Sequence, residues 1–204
     1  MLFRSGTERQ PHYLVASRMV PYKRIPLVVE AFAAMPQRRL RVVGDGPDMP
    51  RVRALAAAHP NIEVLGYLSS AALAEEMGKA RAFVFAAEED FGITPVEVQA
   101  CGTPVIAFGA GGAVETVVDH PDPARRTGVL FDAQTVPAVV SAVARFEQLQ
   151  AEGGFDPQVC RRHAERFSVD AFRAGLLLAA RQAMAAHRSS AQHGLARLAA
   201  GGLP

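Results

Sequence analysis

Two carboxylates eight residues apart, Glu89 and Glu97, bracket the turn Asp90-Phe91-Gly92-Ile93-Thr94, a spacing suited to a phosphorylated ligand that also carries hydroxyl groups. The apolar run Ala82-Phe83-Val84-Phe85-Ala86 comes just before and is short and aromatic enough for a buried parallel strand. The chain therefore leaves the carboxyl end of a strand, passes Gly92, where backbone can come close to a ligand, and enters a helix expected from about Pro95 to Ala100. Unpaired N–H groups at such a helix start, with the macrodipole behind them, attract an anion such as a diphosphate. Acidic residues on the same rim serve another purpose, because carboxylates accept hydrogen bonds from hydroxyls. Amides for phosphate beside carboxylates for hydroxyls describe a nucleotide-sugar better than a plain nucleotide.

Two cations stand after an earlier strand. Arg18 and Lys23 are five residues apart, across Met19-Val20-Pro21-Tyr22. They read either as a diphosphate clamp, Arg by its planar fork and Lys as a point charge, or as solvated loop residues. Gly44-Asp45-Gly46-Pro47 is ordinary turn chemistry when taken alone. Gly111-Gly112 with Glu115 reads as a second anion cradle or as a turn and helix start.

The elements that must position these loops alternate in type. Strands are expected at Tyr13–Ala16, Leu40–Val43, Ile62–Leu65, Ala82–Ala86, Val105–Phe108 and Val129–Phe131. Between them, Ile25, Val28, Val29 and Phe32 share one helical face behind Pro26. Arg51–Ala58 and Ala71–Gly78 are helical, the latter capped by Ser69. Further helices are expected around Val114–Val118 and from about Val136 to Leu149. This pattern predicts an α/β fold, a doubly wound, mostly parallel, six-stranded Rossmann-like sheet with C-terminal helices. Ligands in such sheets sit outside the carboxyl ends of the strands, where all of these loops lie.

Residues 1–11 read as a disordered leader or a translated cloning scar, since Leu2-Phe3-Arg4-Ser5 matches what the end of a common sequencing adapter would encode. The nucleotide-sugar-binding domain is expected over 12–150, a helical segment over 151–188, and a frayed Ala-rich tail over 189–204.

Composition excludes several classes. With 22 basic and 20 acidic residues, the net charge of +2 gives no footprint for nucleic acid, and Arg38-Arg39-Leu40-Arg41 reads as the approach to a strand. Cys101 and Cys160 are far apart and are expected as buried free thiols. The six histidines have no metal-ligand spacing, so no metal site is expected. No stretch reaches the ~18 apolar residues of a membrane span and no signal peptide is evident, which makes a cytoplasmic location the expectation.

In series, SRMVPYKRIPLVVEAF, VVGDGP, IEVLGYL and EEDFGITPVEVQACGTPVIAFGAGGAVETV resemble the donor half of retaining group 1 glycosyltransferases of the GT-B fold, family 4. The resemblance covers about Tyr13 to Phe131, with a similarity to GDP-mannose-dependent mannosyltransferases of polysaccharide assembly. It implies that Arg18 and Lys23 hold the donor diphosphate. Glu89, the first Glu of the family's E-x7-E motif, would position the sugar hydroxyls during catalysis, and Glu97, the second, would bind the ribose. Phe91, Gly92, Ile93 and Thr94 would supply the turn whose amides meet sugar and phosphate, with Gly44, Gly66 and Tyr67 in the neighbouring donor-binding loops. No cofactor is expected. The implied donor is GDP-mannose, with a UDP- or ADP-sugar as the alternative. The usual Gly-Arg after the first strand is Ser17-Arg18 here.

The family's acceptor-binding N-terminal domain is not matched before Tyr13, so this polypeptide alone is expected not to transfer sugar. Any membrane contact, at the inner face, would come from that other half. Two other readings are a non-catalytic module completed by a separate partner and a dinucleotide-dependent oxidoreductase. The latter needs GxGxxG after the first strand, where this chain has no glycine.

Overall fold

A computed structural model describes the backbone of residues 9–199 and side chains as far as His187. Strands β1 (His12–Ala16), β2 (Arg39–Val43), β3 (Ile62–Gly66), β4 (Ala82–Phe85), β5 (Val105–Phe108) and β6 (Gly128–Phe131) form one sheet. Its order is β3-β2-β1-β4-β5-β6, and every pairing is parallel. The fold is the doubly wound Rossmann-like sheet that the alternation predicts. Strand order reverses between β1 and β4, so the crevice of the fold opens where their loops diverge.

Strand side chains alternate between two apolar layers, as the period of two requires. On one face Tyr13, Val15, Leu40, Val42, Val84 and Ile106 pack with helices α1 (Ile25–Ala33), α2 (Met49–Ala56) and α6 (Val136–Ala151). The other face sets Leu14, Phe83, Phe85 and Val105 against α3 (Ser70–Lys79), α4 (Ile93–Ala100) and α5 (Ala113–Thr116). The stripe Ile25, Val28, Val29 and Phe32 is buried, as its spacing predicts. Ser69 caps α3 by accepting from the Ala72 amide at 3.3 Å.

The sheet-bearing unit runs to Ala164, and a second unit begins at Glu165. Helix α7 (Pro157–Glu165) belongs almost wholly to the first, with Val159, Cys160 and Ala164 buried. In the second unit α8 (Val169–Ala199) continues past Ser189, where fraying is expected. Alanine has the highest helix propensity, which accounts for the continuation. Residues 200–204 of the expected tail and 1–8 of the expected leader lie outside the described residues. Arg9, assigned to the leader, is instead tied in: its guanidinium donates to Ala80 O at 2.8 Å, to Thr103 Oγ1 at 3.1 Å and to Gly102 O. Its forked donors reach three acceptors that apolar neighbours could not satisfy.

At the amino end of the sheet Glu147 of α6 gathers three partners. It accepts from Tyr13 Oη at 2.8 Å, from Arg38 Nη2 at 2.6 Å and from Arg81 Nη1 at 3.1 Å. Arg41 is likewise held by Glu63 at 3.0 Å and Glu76 at 2.8 Å. Along the edge strand β6 the Leu130 amide donates to Asp119 Oδ2 at 2.9 Å, and Arg145 holds both Asp119 oxygens at 2.6 and 2.8 Å.

Candidate functional site

The loop after β1 is built for close packing. Ser17 N donates to Val43 O at 3.1 Å and Met19 N to Asp45 O at 2.9 Å, while the Met19 side chain is fully buried. A Cβ at Gly44 would sit 1.9 Å from Ser17 O, and one at Gly46 2.6 Å from Met19 O. The glycines of Gly44-Asp45-Gly46-Pro47 therefore let two backbones touch. Beyond Met19 a 3-10 turn spans Pro21–Lys23, followed by Arg24 at φ 55°. Among the described residues Arg24 is the only non-glycine with positive φ, a conformation that costs an L-residue about 1–2 kcal/mol.

The loop after β4 is braced from the neighbouring strand. A Cβ at Gly111 would lie 2.3 Å from Glu89 O, and one at Gly112 2.3 Å from Phe91 Cα. The Gly112 amide donates to Glu89 O at 2.7 Å. Of the two sequence readings of Gly111-Gly112, the turn-and-helix-start reading fits, because that amide is spent on fixing the backbone of Glu89. Helix α4 starts at Ile93 rather than Pro95, since Gly92 at φ 76° breaks the strand-to-helix path one residue before it. Pro95 falls in the first turn, where its missing N–H costs no hydrogen bond, and no side chain caps that turn.

Arg18, Gly44, Tyr67, Thr94 and Glu97 line one cavity of 340 Å³. Its apolar wall includes Ala16, Val43, Leu68, Leu73 and Met77, residues that carry no chemical signature in sequence. Tyr67 stands at the rim, 79% exposed. Arg18 is exposed, and no hydrogen bond or ion pair to its guanidinium is present among the described residues. Glu97 is half-buried and also lacks an ion pair there; burial pushes its carboxyl above the usual range. A desolvated carboxylate without a partner in a cleft makes Glu97 a candidate ligand contact.

Lys23 and Glu89 meet directly: Lys23 Nζ donates to Glu89 Oε1, with the side chains 17% and 20% exposed. Lys23 also lies over the Tyr22 ring, 5.1 Å from its centroid. Glu89 and Tyr22 border a second cavity, of 400 Å³, with Arg24, Glu88, Gly111 and Gln134. Lys23, Gly66, Phe91, Gly92 and Ile93 line neither cavity. Gly66, at φ 72°, turns the chain toward Tyr67 and accepts from Gly44 N at 2.8 Å. Gly92 and Ile93 form the start of α4. Among the described residues no group of three or more potential metal ligands occurs, and no helix is long and apolar enough to cross a membrane.

The family model for glycosyl transferases group 1 matches residues 3–165. The chain belongs to that family. A GDP-mannose-dependent alpha-(1-6)-phosphatidylinositol monomannoside mannosyltransferase of Mycolicibacterium smegmatis is 31% identical to this glycosyltransferase domain over 156 residues, 69% of the chain and 39% of the relative. The corresponding monoacylated-substrate enzyme of Corynebacterium glutamicum is 35% identical over 124 residues, 54% of the chain and 32% of the relative. The domain thus spans less than half the length of these curated relatives. Among solved structures, sucrose-phosphate synthase from Thermosynechococcus elongatus superposes with a TM-score of 0.71 at 27% identity, over 86% of this chain and 46% of that one. The fold is that of one half of a GT-B glycosyltransferase.

Proposed function

We propose that this domain is the donor-binding half of a retaining hexosyltransferase that takes mannose from GDP-mannose to a glycan or lipid-linked acceptor. The observation that carries the reading is the 340 Å³ cavity, where Arg18, Thr94 and an uncompensated Glu97 face an apolar wall beside the start of α4. An apolar slot for a base, a carboxylate for ribose hydroxyls and a cation, Arg18, for phosphate match the parts of one donor. Arg18, Lys23 and the Ile93 and Thr94 amides would neutralise the charge that grows on the departing diphosphate, with no metal needed for that task. Removing one such preorganised donor costs about 3 kcal/mol of transition-state stabilisation. Glu89 would orient the sugar hydroxyls, since a carboxylate accepts hydrogen bonds from them.

The guanine and mannose assignments rest on the names of the two curated relatives; a UDP- or ADP-sugar is the alternative. Transfer would require a facing acceptor domain, so this chain alone would bind donor without turning it over. Calorimetric titration of the 204-residue chain with GDP, UDP and ADP tests the reading. Binding is expected, tightest for GDP; a folded chain that binds none of the three removes the donor-site assignment.

A further inference from the structure

We propose that Glu89 makes the site prefer an intact nucleotide-sugar over the nucleoside diphosphate left after transfer, by competing with phosphate for Lys23. This rests on the donor-site reading above. Lys23 is already engaged, its ammonium donating to Glu89 Oε1 while both side chains are largely withdrawn from water. The backbone of Glu89 is pinned by the Gly112 amide at 2.7 Å and by the close approach of Gly111. The main chain bearing the carboxylate is thus held, and Lys23 reaches it on a longer, flexible stem over Tyr22.

A diphosphate reaching for Lys23 must either draw it away from Glu89 or share it. Drawing it away leaves a desolvated carboxylate unpaired; sharing it brings phosphate and carboxylate charges together. The two ligands differ on both counts. The terminal phosphate of a nucleoside diphosphate ionises a second time near pH ~6, whereas each phosphate of a sugar-linked diphosphate holds a single charge. A hexose also brings hydroxyls that donate to Glu89 in place of the ammonium. Donor therefore compensates Glu89 for the loss of Lys23, and product does not. After transfer, Glu89 takes Lys23 back and the product is released. Glu97, which has no cation partner, cannot act in this way.

The test is a set of calorimetric titrations with GDP and GDP-mannose, repeated with UDP and UDP-glucose. The proteins are the chain as it stands, Glu89→Gln, Lys23→Met and the double variant, each with its thermal midpoint checked. Glu89→Gln is expected to bind the nucleoside diphosphate about threefold tighter or more, the scale of a partly exposed ion pair, and the nucleotide-sugar no tighter. In the Lys23→Met background that gain should vanish, as coupling through one shared partner requires. Weaker or unchanged diphosphate binding by Glu89→Gln overturns the proposal, and so does a gain that survives without Lys23. Glu89→Ala reads the same sign if the glutamine variant does not fold. If the unaltered chain, folded, binds none of the four ligands, it is the donor-site reading that fails.

Discussion

Opposite ends of one sheet carry the same residue types in opposite condition. At the amino end Glu147 has Tyr13, Arg38 and Arg81 around it, and Arg41 is shared by two glutamates. At the carboxyl end Glu97 and Arg18 line one cavity with no ion pair among the described residues, and Lys23 is paired with Glu89 beside the Tyr22 ring. Burial acts on both Glu147 and Glu97. At Glu147 the hydrogen bonds from Arg38 and Tyr13 and the charges of Arg38 and Arg81 outweigh it and hold the carboxyl below its ordinary range; at Glu97 burial acts alone and raises it. A satisfied network rigidifies the fold, and a buried polar group without partners is costly.

Substitutions should separate the two ends. Arg18→Ala should weaken nucleoside diphosphate binding by up to about a hundredfold, the worth of a charge-assisted hydrogen bond, and leave the thermal midpoint nearly unchanged. Loss of stability without loss of binding would reverse the comparison. Glu147→Ala should do the converse, lowering unfolding free energy by about 2 kcal/mol in urea titrations after allowance for its partial exposure, with nucleotide affinity intact. Arg24→Gly should raise stability by up to about 1 kcal/mol by relieving the positive φ, and any accompanying loss of affinity would show that the strain positions Lys23.

The smallest effect is one of pH. A depressed carboxyl stabilises the fold above the ordinary Glu range, and that contribution disappears as pH falls through the depressed value; Glu147→Ala should remove this acid-side loss. A raised carboxyl acts in the opposite sense: its charged form is disfavoured on folding, and the penalty is full above the raised value. Glu97→Gln should therefore melt slightly higher than the unaltered chain at neutral pH, and the difference should fade in acid. A lower melting temperature for Glu97→Gln at neutral pH would place Glu97 with the structural residues.

Much of this was readable from single residues. Period and punctuation gave the six strands, the α1 stripe and the Ser69 cap, because those depend on neighbours within a turn or two. Element ends were less legible: Gly92, not Pro95, sets the start of α4, and the Ala-rich end extends α8 to Ala199. The loops that line the two cavities could be placed by type and position, but the pairing of their side chains could not. Lys23 and Glu89 are 66 residues apart, and Arg38 and Glu147 are 109 apart. Only the strand order brings each pair together, and local spacing carries no record of it. The brace at Gly111-Gly112 was visible as two glycines, but whether they cradle an anion or admit a backbone depends on what lies opposite.

The carboxylate of Asp119 bears on the molecule's behaviour among its own kind. A sheet of parallel strands ends in an open row of amides and carbonyls that another chain can extend. At β6 the Leu130 amide is already taken by Asp119, and two guanidinium bonds from Arg145 hold that acceptor in place. A strand adding there would have to displace a charged acceptor to gain one neutral bond. At Leu130, extension of the sixth strand by a neighbouring chain is therefore opposed by a charged acceptor already in place.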